Sequence, residues 1–135
     1  MIHFTAYGVP APKGSMKAFY RPGMRFPVVT EANKNTRPWA AIVKDAAIQA
    51  SAGRPVSGDP LCLSVVFHMP RPKSLPKKVV AHVKKPDLDK LLRAVKDALT
   101  GVLWRDDSQV IGVMATKLYV DIGQMPRAEI GVECS

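Results

Sequence analysis

Alternation of apolar and polar positions along the chain predicts β-strands. In the segment LCLSVVFHM, residues 61–69, every second side chain is apolar, which is typical of a strand with one buried face. Further extended segments are predicted at 2–8, 24–30, 109–120 and 127–134. Proline cannot donate a hydrogen bond to a neighbouring strand, so the proline within 24–30 restricts that segment to a sheet edge or a short strand.

Apolar residues spaced three or four apart predict two helices. The first, TRPWAAIVKDAAIQA, covers residues 36–50, with Thr36 as the expected N-cap and Pro38 in the first turn, where proline is tolerated. The second carries one apolar stripe over residues 88–99 and ends before Gly101, a natural helix stop. Both helices therefore have one face available for packing against a sheet.

The predicted elements follow one another in the order β-β-α-β-α-β-β. Two helices packed against a mixed β-sheet make an α+β domain. We expect residues 1–135 to form this single domain, because 135 residues is close to the common domain size and is enough to bury a sizeable core.

Charge is the unusual feature of the composition. The chain has 20 Lys and Arg residues against 11 Asp and Glu residues, a formal net charge of +9. An excess of this size indicates a polyanionic partner, most often nucleic acid and less often an anionic membrane surface. Neither predicted helix combines a strongly basic face with a broad apolar one, which argues against the membrane surface. A membrane-spanning helix is excluded because no apolar run approaches about 18 residues.

The start of the chain and the cysteines indicate the cytoplasm. MIHFTAYGVPAP lacks a basic start, and Pro10 and Pro12 interrupt its apolar stretch, so it does not resemble a secretory signal. Cys62 and Cys134 lie in unrelated segments and predict neither a disulfide framework nor a thiolate metal cluster. The histidines show no ligand spacing. We therefore expect a cytoplasmic protein without a small-molecule cofactor.

Residues 70–86 are predicted to form an irregular, basic loop. Prolines recur through this segment and prevent regular structure over much of its length. Its cations, with two lysines near the start of the chain, form the expected DNA-binding surface: Lys13, Lys17, Arg71, Lys73, Lys77, Lys78, Lys84 and Lys85. The alternative is a solvated basic loop that binds nothing.

Carboxylates gather where the second helix begins and before the strand that follows it. Asp87 precedes the apolar stripe as a candidate N-cap, which places Asp89 in the first turn, near the positive end of the helix dipole. Asp106 and Asp107 lie in the turn before the next strand. That strand would bring them towards the helix start if it pairs beside residues 61–69.

Two interpretations of these carboxylates remain open. In the structural one, Asp87 caps the helix, Asp89, Arg93 and Asp97 form a surface ion-pair ladder, and the second aspartate pair belongs to a turn. In the functional one, the carboxylates hold a divalent cation beside the basic loop. The cations would then bind a phosphodiester while the metal activates water. The second interpretation predicts a metal-dependent nuclease.

The segments that carry these carboxylates resemble a known family. KPDLDKLLRAVKDALTG, VLWRDDSQV and KLYV are similar to the signature of RusA-type Holliday-junction resolvases of bacteria and phages, with the strong match over about residues 85–120. Weaker similarity lies in GVPAPKGS and FHMPRPK. The resemblance implies a homodimer that requires Mg²⁺, with Mn²⁺ as a substitute. It also implies symmetric nicking of opposed strands in a four-way DNA junction, during recombination and repair.

The resemblance also implies roles for individual residues. By position, the catalytic and metal-binding carboxylates are Asp87, Asp89 and Asp107, with Asp106 the less certain ligand. The family's helical lysine corresponds to Arg93, which keeps the charge but cannot lose a proton. Arginine can replace the lysine if this position only offsets charge near the scissile phosphate. If the position must transfer a proton, activity should suffer. Lys90 stands where the family usually has asparagine, and either reaches a DNA phosphate or pairs with Asp87.

Rival functions stay open beside the resolvase. One is a non-catalytic protein that binds branched DNA and uses its aspartates structurally. The other is a metal nuclease for other branched DNA, such as forks or flaps. A two-fold dimer would supply matching sites for the two equivalent strands of a junction. An exposed sheet edge is the expected dimer surface, with residues 109–120 as the candidate strand.

Overall fold

A computed structural model describes residues 1–13, 16–19, 22–23, 25–26, 28–31 and 34–134, and the side chains of 16–19 and 28–31 are outside this description. Lys17, one of the expected DNA contacts, therefore has its side chain outside the described part. The elements, in chain order, are β1 (Ile2–Tyr7), β2 (Met16–Phe19), β3 (Val28–Glu31), α1 (Thr36–Ser51), β4 (Leu61–Met69), α2 (Leu88–Leu99), β5 (Val110–Tyr119) and β6 (Arg127–Cys134).

A mixed four-stranded sheet, in the order β1-β6-β4-β5, is the centre of the fold. β6 pairs antiparallel with β1 and with β4, whereas β4 and β5 run parallel. Parallel neighbours need a long crossover connection, and the chain between β4 and β5 contains α2. The α+β class and the position of β5 beside β4 are confirmed. β2 and β3 form a separate antiparallel pair.

The core lies between the helices and one face of this sheet. β4 buries alternate side chains to 2% exposure or less: Leu61, Leu63, Val65, Phe67 and Met69. Trp39 and Val43 of α1 and Leu91 and Val95 of α2 are buried in the same cluster. Burying side chains of this size stabilises the fold by about 1.5–3 kcal/mol each, which is why the strand alternation and the helical stripe fix the fold class.

The observed elements differ from the expected ones at β2, at β3 and at the start of α1. β2, with only four residues, was not predicted, and β3 is shorter than the expected extended segment. Thr36 is the first residue of α1, and Asn35 occupies the N-cap position instead. The Thr36 hydroxyl donates a hydrogen bond of 2.7 Å to the Pro12 carbonyl, so it ties the helix to the segment after β1. Within the described ranges, no helix is long and apolar enough to cross a bilayer.

Candidate active site and DNA-binding surface

Two aspartates lie exposed at the start of α2. Asp87 occupies the N-cap position in an extended conformation, but its side chain makes no capping hydrogen bond. Its carboxylate lies 3.9 Å from the Lys90 ammonium, with more than half of the side chain exposed. Asp89 follows in the first turn, also exposed. A favoured capping residue that does not cap leaves its oxygens available for another ligand.

Lys117 of β5 holds the chain that leads into α2. Its ammonium donates hydrogen bonds to the backbone carbonyls of Lys84, at 2.7 Å, and of Pro86, at 2.8 Å. On the other side, the Lys13 backbone N–H donates to the Lys90 carbonyl at 3.0 Å. The position of Asp87 is therefore set by β5 and by the segment that follows β1.

Asp107 begins a short 3₁₀ turn, Asp107–Gln109, that is firmly held. Asp106 caps this turn by accepting a hydrogen bond from the Ser108 N–H at 2.9 Å, and this bond, with one from the Ser108 hydroxyl, lowers the pKa of Asp106. The Gln109 amide donates to the carbonyls of Ser57 and Asp59 at 3.0 Å each. The Asp106 carboxylate thus stabilises the turn, and Gln109 anchors the turn to the chain before β4.

The Asp107 carboxylate lies at the far end of α2 from Asp87 and Asp89. It pairs with the Lys96 ammonium at 3.2 Å, in the last turn of the helix. Lys96 follows Asp89 by seven residues, about 10 Å along the axis at 1.5 Å per residue. Oxygens that share one Mg²⁺ lie only about 4 Å apart or less, because each is about 2 Å from the ion.

The three aspartates therefore do not converge within one chain. The parallel pairing explains why: α2 begins beyond the end of β4, whereas β5 starts beside the beginning of β4. Among the described residues, no group of three or more His, Cys, Asp or Glu side chains is placed to hold a metal. Asp87 and Asp89 alone suit Mg²⁺ in part, since proteins often hold this ion with one or two carboxylates while phosphates complete its shell.

The surface ion-pair ladder of the structural interpretation is not formed. Asp97 pairs with Lys13 at 3.4 Å. Arg93 is exposed, and no described side chain forms a salt bridge with it. Arg93 lies four residues after Asp89, on the same side of the helix. Its guanidinium is therefore available to an anion beside the two carboxylates.

Arg71, which is predicted to contact DNA, holds the basic loop together. Its guanidinium donates to the carbonyls of Val120 at 2.9 Å, Pro76 at 3.1 Å and Val79 at 2.7 Å, and lies 5.6 Å from the centre of the Tyr119 ring. The sequence shows that residue 71 is a cation, but it does not show that backbone carbonyls surround its side chain. The loop lysines are exposed and form no salt bridge with a described residue: Lys73, Lys77, Lys78, Lys84 and Lys85.

A cleft of about 910 Å³ opens beside Asp87, between the start of α1 and the end of the basic loop. Its walls include Trp39 and His82, and Lys85 and Lys90 are also among its lining residues. The His82 ring packs against Tyr119 with centroids 4.7 Å apart. Burial lowers the pKa of His82, and the charge of Lys117 lowers it further. The imidazole is therefore neutral at physiological pH.

Lys96 and Lys117 are functional candidates that sequence reasoning missed. Both belong to the segments that carry the family resemblance, but they were not singled out. Lys96 shares the side of α2 that carries Asp89, which helical spacing shows. The contact between Lys117 and the Pro86 carbonyl depends on how the chain folds back, so no local pattern reveals it.

Two comparisons with known proteins match nearly the whole chain. The sequence profile of the family described as endodeoxyribonuclease RusA matches residues 10–133. A protein of Bacillus subtilis (strain 168), described as uncharacterized protein YqaN, is 31% identical over 144 residues, covering 96% of this chain and 93% of the relative. Both matches include the start of α2 and the 3₁₀ turn.

Proposed function

The chain belongs to the RusA endodeoxyribonuclease family, and from this premise we propose that it resolves four-way DNA junctions by metal-dependent, paired nicking. Family membership indicates a hydrolase of DNA and supports a nuclease of the Holliday-junction resolvase type. One observation carries the proposal furthest. The exposed carboxylates of Asp87 and Asp89 lie at the end of a loop whose lysines have no acidic partners among the described residues.

This separation of charge suits phosphodiester hydrolysis. If the two aspartates were paired with the nearby lysines, neither charge would be available to a ligand. Among the described residues, the 3.9 Å contact between Lys90 and Asp87 is the one ion pair that joins these aspartates to a lysine. The free lysines can bind a polyanionic backbone, while the carboxylates can hold a hard cation against it. An arrangement that served only stability would pair these charges.

Each residue has a proposed role. Asp87 and Asp89 would hold Mg²⁺, with Mn²⁺ as a substitute, and the bound ion would supply Lewis acidity and an activated water. Arg93 offsets negative charge on the scissile phosphate and, as an arginine, does so without exchanging a proton. Lys90 is available to an adjacent phosphate, because the 3.9 Å between its ammonium and the Asp87 carboxylate is too long for a strong ion pair. Asp107 pairs with Lys96 at the other end of α2, so we assign it no ion shared with Asp87 and Asp89 within one chain.

The basic loop is proposed as the main DNA contact. Its exposed lysines track the phosphate backbone, which attracts cations independently of sequence. Lys13 is a weaker candidate than expected because Asp97 occupies its ammonium at 3.4 Å. We further propose that the protein acts as a homodimer on DNA inside the bacterial cell, in recombination and repair, because the two strands to be cut are related by a two-fold axis.

Side-by-side cleavage of a four-way junction, a fork, a flap and a linear duplex, each with and without Mg²⁺, tests this proposal. We expect paired nicks in the junction with Mg²⁺ and little cleavage of the linear duplex. Preference for the fork or flap would identify a nuclease for other branched DNA. Tight junction binding without cleavage under any divalent cation would leave a non-catalytic binding protein and refute the enzyme.

A further inference from the structure

The cleft beside Asp87 has the walls of a binding site for a flat, largely apolar ligand. Among the described residues that line it, five are prolines, and Val9, Trp39 and Met69 add further apolar surface. Its volume of about 910 Å³ is within the range of about 300–1,000 Å³ that is usual for small-molecule pockets. Such pockets are mostly apolar and contain a few polar groups that orient the ligand. This cleft therefore suits a ligand with two apolar faces and a polar edge.

Hydrogen bonds hold the walls of the cleft in place. The Thr36 hydroxyl donates to the Pro12 carbonyl at 2.7 Å, which joins the start of α1 to the segment after β1. At the end of the basic loop, Lys117 donates to the Pro86 carbonyl at 2.8 Å. Proline also fixes its own backbone φ angle, so these lining residues have little freedom to lose. A cleft that is already formed pays a smaller entropic cost when a ligand binds.

Two ring nitrogens of the lining residues are buried without a hydrogen-bond partner. Trp39 is 2% exposed, and its indole Nε1 has no acceptor within the described part of the chain. The Nδ1 atom of His82 is buried and unpaired in the same way. Buried polar groups in proteins are nearly always hydrogen-bonded, so two exceptions in one cleft indicate a ligand that supplies the partners. The indole N–H donates, and a neutral imidazole has one donor and one acceptor nitrogen.

The charged residues of the cleft match a nucleotide. Lys85 and Lys90 are exposed cations among its lining residues and suit phosphate, whereas Asp87 joins the cleft to the proposed cleavage site. We infer that the cleft binds one nucleobase of the DNA strand, unstacked from its neighbours, next to the phosphate held at Asp87. The inference rests on the proposed function and adds to it a site for a base.

Both kinds of contact that an unstacked base requires are present. Proteins that extrude a base hold it by stacking against apolar or aromatic side chains and by hydrogen bonds to its edge. The proline rings and aliphatic side chains of the cleft suit the faces of a base, and the nitrogens of Trp39 and His82 suit its edge. The base and the phosphate of one nucleotide are covalently joined. A base in the cleft therefore determines which phosphodiester reaches Asp87.

Indole N–H resonances test this inference, because the chain has two tryptophans. The Trp104 Nε1 donates to the Thr100 hydroxyl at 3.0 Å and is the internal reference. The ¹⁵N-labelled protein is titrated with four single-stranded trinucleotides, one for each base, and with the same sugar-phosphate backbone without bases. We expect at least one intact trinucleotide to move the Trp39 cross-peak downfield, since its N–H gains an acceptor, while the Trp104 cross-peak stays. The base-free strand has the same charge and should leave Trp39 unmoved.

One substitution at two histidines provides a matched pair of variants. His82→Phe keeps a flat ring against Tyr119 and removes the Nδ1 atom. It should weaken the binding of an intact trinucleotide by about 2- to 12-fold, the effect of losing one hydrogen bond. The affinity for the base-free strand should not change. His68→Phe is the control, because the Nε2 atom of His68 is also buried without a hydrogen bond in the described chain, but His68 does not line the cleft. It should change neither affinity.

The same titrations can overturn the inference. Equal movement of the Trp39 cross-peak by the base-free strand would do so, and so would no movement by any trinucleotide at millimolar concentration. A His82→Phe variant that binds the intact strands as tightly as the wild type also contradicts it, as does an equal loss in His68→Phe. Junction cleavage is measured separately. A protein that shows the base-dependent shift but cleaves nothing refutes the proposed function and keeps the base site, whereas cleavage without the shift does the reverse.

Discussion

Replacing Lys117 with methionine is expected to loosen the start of α2 and to raise the pKa of His82. The ammonium donates to two carbonyls, of which that of Pro86 is partly buried and that of Lys84 is exposed. A hydrogen bond to a charged group contributes about 1.5–3 kcal/mol when buried and less when water can replace it. The two bonds together then contribute about 2–3 kcal/mol, and the free energy of unfolding should fall by that amount.

Thermal melting and a histidine titration measure the two effects. A loss of this size lowers the Tm by about 10 °C in a domain of this length. The charge of Lys117 is the second cause of the lowered pKa of His82, so its removal moves that pKa back towards the ordinary value, which NMR titration of the imidazole detects. Lys73→Met removes an exposed lysine that has no salt bridge to a described residue, and it should change neither quantity. A Lys117→Met variant with an unchanged Tm and an unchanged His82 titration would refute the anchoring role.

Three further predictions concern cleavage, DNA binding and pH. Asn at Asp87 or Asp89 should abolish junction cleavage while gel-shift affinity stays equal or rises, because a negative charge facing DNA is removed; normal cutting by either variant contradicts the site. If six to ten phosphates are contacted, junction affinity should fall by about 10³ to 10⁵-fold between 50 and 200 mM salt, and a flat response would exclude the basic loop as the main contact. Because folding lowers the pKa of His82, the unfolded chain takes up a proton first as pH falls. Stability present above about pH 6.5 is therefore lost below it. His82→Gln should flatten this decline in denaturant titrations, and an identical pH profile for wild type and variant would contradict it.

The fold class was predictable because the buried face of a strand or helix requires apolar residues at regular spacing. The alternation in β4 and the stripe of α2 each bury a continuous apolar face, and both were predicted from spacing alone. β2 was not predicted because its four residues are too few to show a periodic pattern. Asp87 was placed correctly at the N-cap position, since the apolar stripe and Pro86 mark the helix start.

The candidate site was less predictable because it depends on contacts between distant segments. Spacing shows that β5 follows the Asp107 turn, but not that β5 runs parallel to β4 and so begins at the wrong end for Asp107 to meet Asp87. Similarly, composition counts Arg71 as a cation for DNA, while the carbonyls that surround it come from the loop itself and from Val120. Charge can be read from a sequence, but the partner of each charge cannot.

The three carbonyls that accept hydrogen bonds from Arg71 affect how tightly the protein can bind a polyanion. Fixing the backbone of one flexible residue costs about 1–2 kcal/mol of conformational entropy. A disordered lysine-rich loop would lose that free energy for each residue that becomes ordered on binding. Here the Arg71 guanidinium, at the start of the loop, is bonded to the middle of the loop at Pro76 and Val79 and to Val120 after β5. The backbone of the first half of the loop is thus held before binding, which reduces the ordering cost that would otherwise be subtracted from the affinity for a phosphate backbone.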